Sequence, residues 1–157
     1  MKVVLAAIGK TDEKYLEQGI DKYSKRINKY LQFDIEIIPD IKNTKNMNAA
    51  VQKEKEGELI LKKIQQGDYV ILLDENGKTY SSVGFAEQLN SIYISGYKRL
   101  IFIIGGPYGF SNAVYNRCNS KISLSKMTFS HQLIRLIFVE QFYRAQTILK
   151  GEPYHHQ

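Results

Sequence analysis

Two stretches in the last third of the chain decide the fold: RLIFIIGGPYGF at residues 99–110 and SKISLSKMTFSHQLIRLIFVEQFYRA at residues 120–145. Each begins with a short apolar segment that is typical of a buried strand. The first strand runs into a glycine turn, and the second runs into a loop of small and polar residues. That loop leads directly into a long apolar helix. Loops at the ends of adjacent strands form ligand sites in α/β sheets, so we expect one here.

Strand and helix signals alternate along the whole chain. Thr11 and Ser81 or Ser82 are candidate helix N-caps, and Gly151 is a candidate helix stop. Strands separated by helices predict a parallel sheet with helices on both faces. Since no linker or repeat interrupts the pattern, we expect one α/β domain over residues 1–157. The predicted strands cover 3–8, 34–38, 69–73, 100–104 and 122–124; the predicted helices cover about 12–31, 47–66, 82–94 and 130–149.

Composition narrows the classes of partner and compartment. The single cysteine, Cys118, excludes an internal disulfide and fits a buried packing residue. No signal peptide and no apolar run of ~20 residues is visible, which favours a cytoplasmic protein without a membrane span. The net charge is +6, and residues 117–157 contain six Lys or Arg residues against two Glu residues. This concentration of positive charge suits a polyanionic partner, although a generally basic surface is the alternative.

The common nucleotide-binding and metal motifs do not fit. The first strand is followed by the single glycine Gly9, whereas a dinucleotide-binding turn requires several. Asp40 follows the second strand, where a ribose-binding acid would stand, but without the glycine turn it is better interpreted as a turn residue. No Cys, His or carboxylate cluster has the spacing of a metal site, so we expect no bound metal.

The glycines lie late in the chain instead, at Gly105 and Gly106. Their lack of side chains would allow a ligand to lie against the backbone, or they serve a turn with positive φ. The loop from Leu124 to Phe129 favours the first interpretation. It offers backbone donors and acceptors, the hydroxyls of Ser125 and Thr128, and the apolar side chains of Leu124, Met127 and Phe129. Such a wall suits a flat heterocycle held by stacking and hydrogen bonds.

His131 and Arg135 lie one turn apart on the same face of the predicted last helix. That helix is apolar on all sides, so we expect it to be buried on all sides, with one face against the sheet and another against a second subunit. In that setting His131 is either structural or functional. An unpaired buried charge at Arg135 would be costly, which favours a role for it. Arg144 follows Glu140 by four residues, so a salt bridge accounts for it.

Over its whole length the chain resembles the small bacterial SPOUT-class methyltransferases that modify large-subunit ribosomal RNA, the RlmH family. One departure is Ser130, where the family usually has proline; this serine removes a rigid φ but supplies a helix cap. Seven segments in the same order carry the resemblance: VVLAAIGK (3–10), EKYLEQGIDKYSKRI (13–27), KEKEGELIL (53–61), SSVGFAEQLN (81–90), IFIIGGPYGF (101–110), LSKMTFSHQLIRLIFVEQFYRA (124–145) and GEPYH (151–155).

The resemblance implies S-adenosylmethionine as the methyl donor and N3 of a pseudouridine in 23S ribosomal RNA of the assembled ribosome as the acceptor. It also implies a C-terminal trefoil knot and a homodimer. Carried over to this sequence, the cofactor contacts fall on Leu73, Gly105, Leu124, Ser125, Lys126, Met127, Thr128 and Phe129.

Methylation at N3 requires loss of the ring proton, which leads to candidates for catalysis. We expect Arg135 to stabilise negative charge on the ring and His131 or His155 to accept the proton. Two rival functions stay open: methylation of another RNA such as tRNA, and RNA binding without catalysis.

Overall fold

A single parallel sheet forms the centre of the protein. The computed structural model describes residues 1–156, in which the strands follow the order β2-β1-β4-β3-β5 and every pairing is parallel. The carboxyl ends of all the strands therefore meet at one edge. The predicted parallel sheet is confirmed, with these bounds: β1 (Lys2–Ile8), β2 (Gln32–Ile38), β3 (Tyr69–Thr79), β4 (Arg99–Ile104) and β5 (Ser120–Ser123).

Helices cover both faces of the sheet, as the alternating pattern predicts. On one face, α5 packs against α1 and α3 around Phe102, Phe138 and Phe142. On the other, α2 and α4 contribute Ile60 and Val114 to a second apolar cluster. Because β1 and β4 face apolar layers on both sides, they carry continuous apolar runs. The bounds are α1 (Lys14–Ile27), α2 (Ala49–Lys63), α3 (Ser82–Tyr93), α4 (Asn112–Arg117) and α5 (Leu133–Leu149), with a 3-10 turn at Thr44–Asn46.

Three helices, α1, α2 and α5, begin two or three residues later than predicted, and the first turns of α1 and α5 show why. The N-cap of α1 is Glu13 and not Thr11. The helix α5 begins only at Leu133, and its N-cap residue Gln132 makes no side-chain cap hydrogen bond, but Ser130, two residues earlier, bonds to this end. Its hydroxyl accepts the N–H of Leu133 at 3.1 Å, and its carbonyl accepts the N–H of Ile134 at 3.0 Å. The serine that replaces the family's proline thus supplies the expected cap.

The segment after Leu73 and the segment after β4 differ from the prediction. The strand predicted to end at residue 73 continues as β3 to Thr79, and its pairing with β5 shifts between Leu73 and Lys78. The side chain of Asp74 accepts the N–H of Asn76 at 2.8 Å and stabilises this irregularity. The polar segment before β5 contains α4, which the sequence analysis missed because its six residues carry too few apolar positions to show a period.

The path of the last segment places α5 between α1 and α3, on the face opposite α4, after the chain has left the edge strand β5. This arrangement is compatible with the implied trefoil knot, while the threading itself stays a prediction. Among residues 1–156, no helix has the length and hydrophobicity that crossing a membrane requires.

Candidate active site

A cavity of about 500 Å³ lies at the carboxyl edge of the sheet, between the ends of β3, β4 and β5. The structure brings together here every residue for which the resemblance implies a cofactor contact: Leu73 and Gly105 at strand ends and the whole loop from Leu124 to Phe129. His131 lies at the rim of the same cavity. The spatial arrangement of these residues follows from the parallel sheet, because the ends of neighbouring parallel strands meet at one edge.

The loop after β5 is braced by its own serines. The hydroxyl of Ser123 donates to the carbonyl of Ser125 at 2.8 Å, and the hydroxyl of Ser125 accepts the N–H of Met127 at 3.0 Å. Leu124 packs against the core, whereas the side chain of Met127 is 77% exposed. The loop therefore combines a fixed backbone with a long, polarizable side chain that is free to close on a ligand.

An acidic part of the cavity wall was not identified from the sequence. Asp74 and Glu75 line the cavity from the irregular part of β3, and Tyr115 lines it from α4. The phenol of Tyr115 donates a hydrogen bond to Asp74 Oδ2. Burial, together with Asp74, raises the pKa of Tyr115 to about 12, so that the phenol keeps its proton and its donor role. Two carboxylates beside the cavity suit a ligand that carries positive charge.

Gly105 is required by close packing. The glycines with positive φ do not include Gly105 or Gly106, so the alternative interpretation of a turn with positive φ is wrong. A Cβ atom on Gly105 would lie 2.9 Å from Cε1 of the buried Phe110. The missing side chain thus serves the contact between the strand end and Phe110.

A second cavity, of about 370 Å³, lies at the end of β1. It is on the other side of the loop that contains Gly105 and Gly106, which we call the glycine loop. Gly105, Gly106, Pro107 and His131 line both cavities, so the two are neighbours. Both spaces are therefore bounded by the same short loop and by the segment that precedes α5.

Arg135 is buried at the inner end of the second cavity, where it joins α5 to β1. Its side chain donates four hydrogen bonds, to the carbonyls of Ile8 (2.8 Å), Gly9 (2.7 Å) and His131 (3.1 Å) and to the hydroxyl of Thr11 (3.1 Å). A guanidinium group has five N–H donors, so one stays available. Burial lowers the pKa of Arg135, and Asp12 and Asp40 partly offset this effect. The charge is thus well hydrogen-bonded, although no carboxylate within residues 1–156 pairs with it directly.

His131 is exposed between the two cavities. The expectation that the last helix buries it is wrong, because His131 precedes α5 and lies in the turn before Leu133. An exposed imidazole between two cavities is accessible to ligands on either side.

The C-terminal tail packs on the middle of α5, away from both cavities of its own chain. Arg144 forms the expected salt bridge with Glu140 at 2.6 Å. Tyr154 donates to Glu140 Oε1 at 2.9 Å, and Arg144 Nη1 lies 3.2 Å from His155 Nδ1. The residues that line the two cavities do not include Tyr154 or His155. Within one chain, the structure therefore does not bring His155 to His131.

Comparison with solved structures identifies the class of the fold. The structure is similar to that of a probable methylase family protein from Haemophilus influenzae Rd KW20, with a TM-score of 0.51 and 10% identity. The match covers 95% of this chain and 66% of that one. At this identity the likeness concerns the fold alone.

Sequence comparison makes the assignment specific. A family model described as "Predicted SPOUT methyltransferase" matches residues 1–155. The chain is 61% identical to the ribosomal RNA large subunit methyltransferase H of Flavobacterium johnsoniae and 62% identical to that of Flavobacterium psychrophilum, with 100% of both chains covered in each case. The chain belongs to the SPOUT methyltransferase family, which confirms the resemblance inferred from its motifs. It is therefore a methyltransferase.

The contact between Gly105 and Phe110 gives a stability prediction. Gly105→Ala places a methyl group against the buried ring, and overpacking of this kind costs about 1–3 kcal/mol of the free energy of unfolding. Urea denaturation measures this loss. The loss should shrink when Phe110→Leu makes room for the methyl group, and equal losses in both backgrounds would contradict the packing account.

Proposed function

We propose that this protein transfers a methyl group from S-adenosylmethionine to N3 of a pseudouridine in 23S ribosomal RNA, acting as a homodimer on the assembled ribosome in the cytoplasm. One observation carries the proposal. A chain with full-length identity of about 60% to enzymes named for large-subunit ribosomal RNA methylation has a ligand-sized cavity at the strand ends. The choice of N3 and of pseudouridine as the acceptor rests on the resemblance to the RlmH family.

The first cavity fits S-adenosylmethionine in size and chemistry. Its volume of about 500 Å³ lies within the ~300–1,000 Å³ common for small-molecule sites. The apolar side chains of Leu124, Met127 and Phe129 would hold the adenine ring, with hydrogen bonds from the loop backbone. Asp74 and Glu75 would face the positive charges of the cofactor. When bound, S-adenosylmethionine supplies an electrophilic methyl group.

Residues of this chain would remove the proton from N3. A neutral imidazole at position 131 would accept the proton as the bond from N3 to the methyl carbon forms. The position of His131 between the cavities supports this role. The remaining N–H of Arg135 would stabilise the negative charge that develops on the ring carbonyls. His155 is the other candidate base, and it requires the tail of a partner subunit.

The surface of α5 supports the homodimer. Leu133 is 36% exposed in the isolated chain, and Ile137, one turn later on the same side of α5, is half-buried. Pairing of this surface would cover the apolar residues that the sheet does not. It would also place Tyr154 and His155, which pack on the same helix, near the partner's cavity.

A large side chain introduced into the first cavity should weaken cofactor binding. Thr128 is exposed and lines the cavity, so Thr128→Trp introduces an indole ring without disturbing the core. We expect the affinity for S-adenosylmethionine in calorimetry to fall at least tenfold, about 1.4 kcal/mol. Thr79→Trp, at an exposed threonine outside both cavities, is the matched control. A folded Thr128→Trp protein with unchanged affinity would refute the cofactor site, and absence of binding by the wild type would favour an RNA-binding module.

The dimer prediction concerns α5. An interface there should bury at least ~1,000 Å² in total, and Ile137→Glu should break it by burying a charge. Light scattering at micromolar concentration should give a dimer for the wild type and a monomer for the variant. Ile94→Glu, at an isoleucine that directly follows α3 and is 79% exposed, should stay dimeric. A wild-type monomer would contradict the prediction.

The catalytic roles are tested by single-turnover methylation of ribosomes. His131→Ala and Arg135→Ala should each lower the rate by ~100-fold or more while cofactor affinity changes little. Arg135→Ala should also lower stability, because it leaves the carbonyls of Ile8 and Gly9 without a donor. His156→Ala, at an exposed histidine outside both cavities, should be inert. Wild-type rates in both alanine variants would show that the assignment is wrong, and loss only in His155→Ala would assign the base to the tail.

A further inference from the structure

Glu56 on α2 is a buried carboxylate that the fold does not explain. The residue is 3% exposed, and its Oε1 atom has no hydrogen-bond partner among the described residues. Its Oε2 atom accepts only a long hydrogen bond, at 3.4 Å, from Gln52. A buried carboxyl group with an unused oxygen destabilises the folded protein. Such a group points to a ligand that completes its hydrogen bonding.

The carboxyl group lies directly against the glycine loop. A Cβ atom on Gly106 would lie 2.3 Å from Glu56 Oε2 and 2.5 Å from Oε1, so that only glycine fits at this position. Glu56 also lines the second cavity, together with Arg135 and His131. Glu56 therefore borders the second cavity, and both of its carboxyl oxygens lie against Gly106 in the loop between the two cavities.

The second cavity has the position required of a methyl acceptor site. A ligand in it would lie across Gly105 and Gly106 from a ligand in the first cavity, with His131 beside both. Its volume of about 370 Å³ accommodates a pyrimidine ring. Lys10 is exposed at its rim, where it can meet a backbone phosphate.

Pseudouridine and uridine differ at one edge of the ring. Pseudouridine is joined to its ribose through carbon, which leaves a free N1–H donor beside C2=O. Uridine presents C5–H at the corresponding position, beside C4=O. An enzyme that distinguishes the two needs a hydrogen-bond acceptor for N1–H, and a carboxyl oxygen is such an acceptor.

We propose that the second cavity receives the target base and that Glu56 accepts the N1–H of pseudouridine, which makes Glu56 the residue that selects pseudouridine over uridine. This inference rests on the proposed function. With uridine in place, the buried oxygen of Glu56 would face a C–H group and stay unsatisfied. Sites built around a buried polar group reject ligands that lack its partner far more strongly than apolar pockets reject a missing methylene.

The carboxyl group of Glu56 also suits C2=O of pseudouridine, the carbonyl that lies beside N1–H. Burial raises the pKa of Glu56, the hydrogen bond from Gln52 lowers it, and the charge of Asp40 raises it. In its protonated form the acid offers one donor and one acceptor. The acceptor faces N1–H and the donor faces C2=O, so the ring edge and the acid form a two-bond pair. The donated bond would also stabilise negative charge on the ring during transfer.

The test uses the full-length protein, S-adenosylmethionine, and ribosomes that carry either pseudouridine or uridine at the methylated position. For the wild type we expect kcat/KM to be at least ~100-fold higher with pseudouridine. Glu56→Met should reduce this preference at least tenfold. Glu56→Gln should keep it, because an amide also offers one acceptor beside a donor. Glu58→Gln, at an exposed glutamate on the same helix, is the matched control.

Each outcome decides the proposal. Equal rates of the wild type on both ribosomes overturn it without any variant, as does a preserved preference in folded Glu56→Met or Glu56→Ala. Weaker binding of S-adenosylmethionine in these variants, with the preference intact, would instead assign Glu56 to the ammonium group of the cofactor and also overturn the proposal. Failure of the proposed function looks different: the wild type would then transfer no methyl group to either ribosome.

Discussion

The hydrogen bonds of Arg135 fix the relation between the last helix and the first strand. The guanidinium group bonds to the carbonyls of Ile8 and Gly9, where β1 ends, and to the carbonyl of His131, where the turn into α5 begins. The second cavity depends on this connection, since Arg135 and His131 both line it, and His131 also borders the first cavity. A lysine could not replace it, because an ammonium group lacks the planar array of donors that reaches several carbonyls at once.

The parallel sheet places the remaining parts of the site. The first cavity is bounded by the ends of β3, β4 and β5, and the second by the end of β1 and by Glu56 of α2. Gly105 and Gly106 separate them, and each glycine is required by a different close neighbour, Phe110 in one case and Glu56 in the other. Group transfer requires the reacting atoms of two bound molecules to come within about 3–3.5 Å of each other, so in the proposed function the two ligands would meet beside His131, which lines both cavities.

Sequence reasoning predicted the features that depend on local pattern. The apolar runs predicted the five strands, and the order of strands and helices predicted the parallel sheet. The loop from Leu124 to Phe129 was recognisable from its composition. What sequence could not give depends on contacts between distant residues. Three of the four hydrogen-bond partners of Arg135 are more than 120 positions away, and the burial of Glu56 beneath Gly106 joins α2 to the end of β4. The helix α4 was too short to show a period, and the true start of α5 followed from the hydrogen bonds of Ser130.

The most direct test of the account is mapping of the methylated nucleotide. Ribosomes that lack the modification would be incubated with the purified protein and isotope-labelled S-adenosylmethionine, and their RNA and a parallel tRNA sample would be digested and analysed by mass spectrometry. The account predicts label on a single nucleotide of 23S ribosomal RNA, carried by N3 of a pseudouridine. Label on tRNA, on another ring atom or on no RNA at all would contradict it.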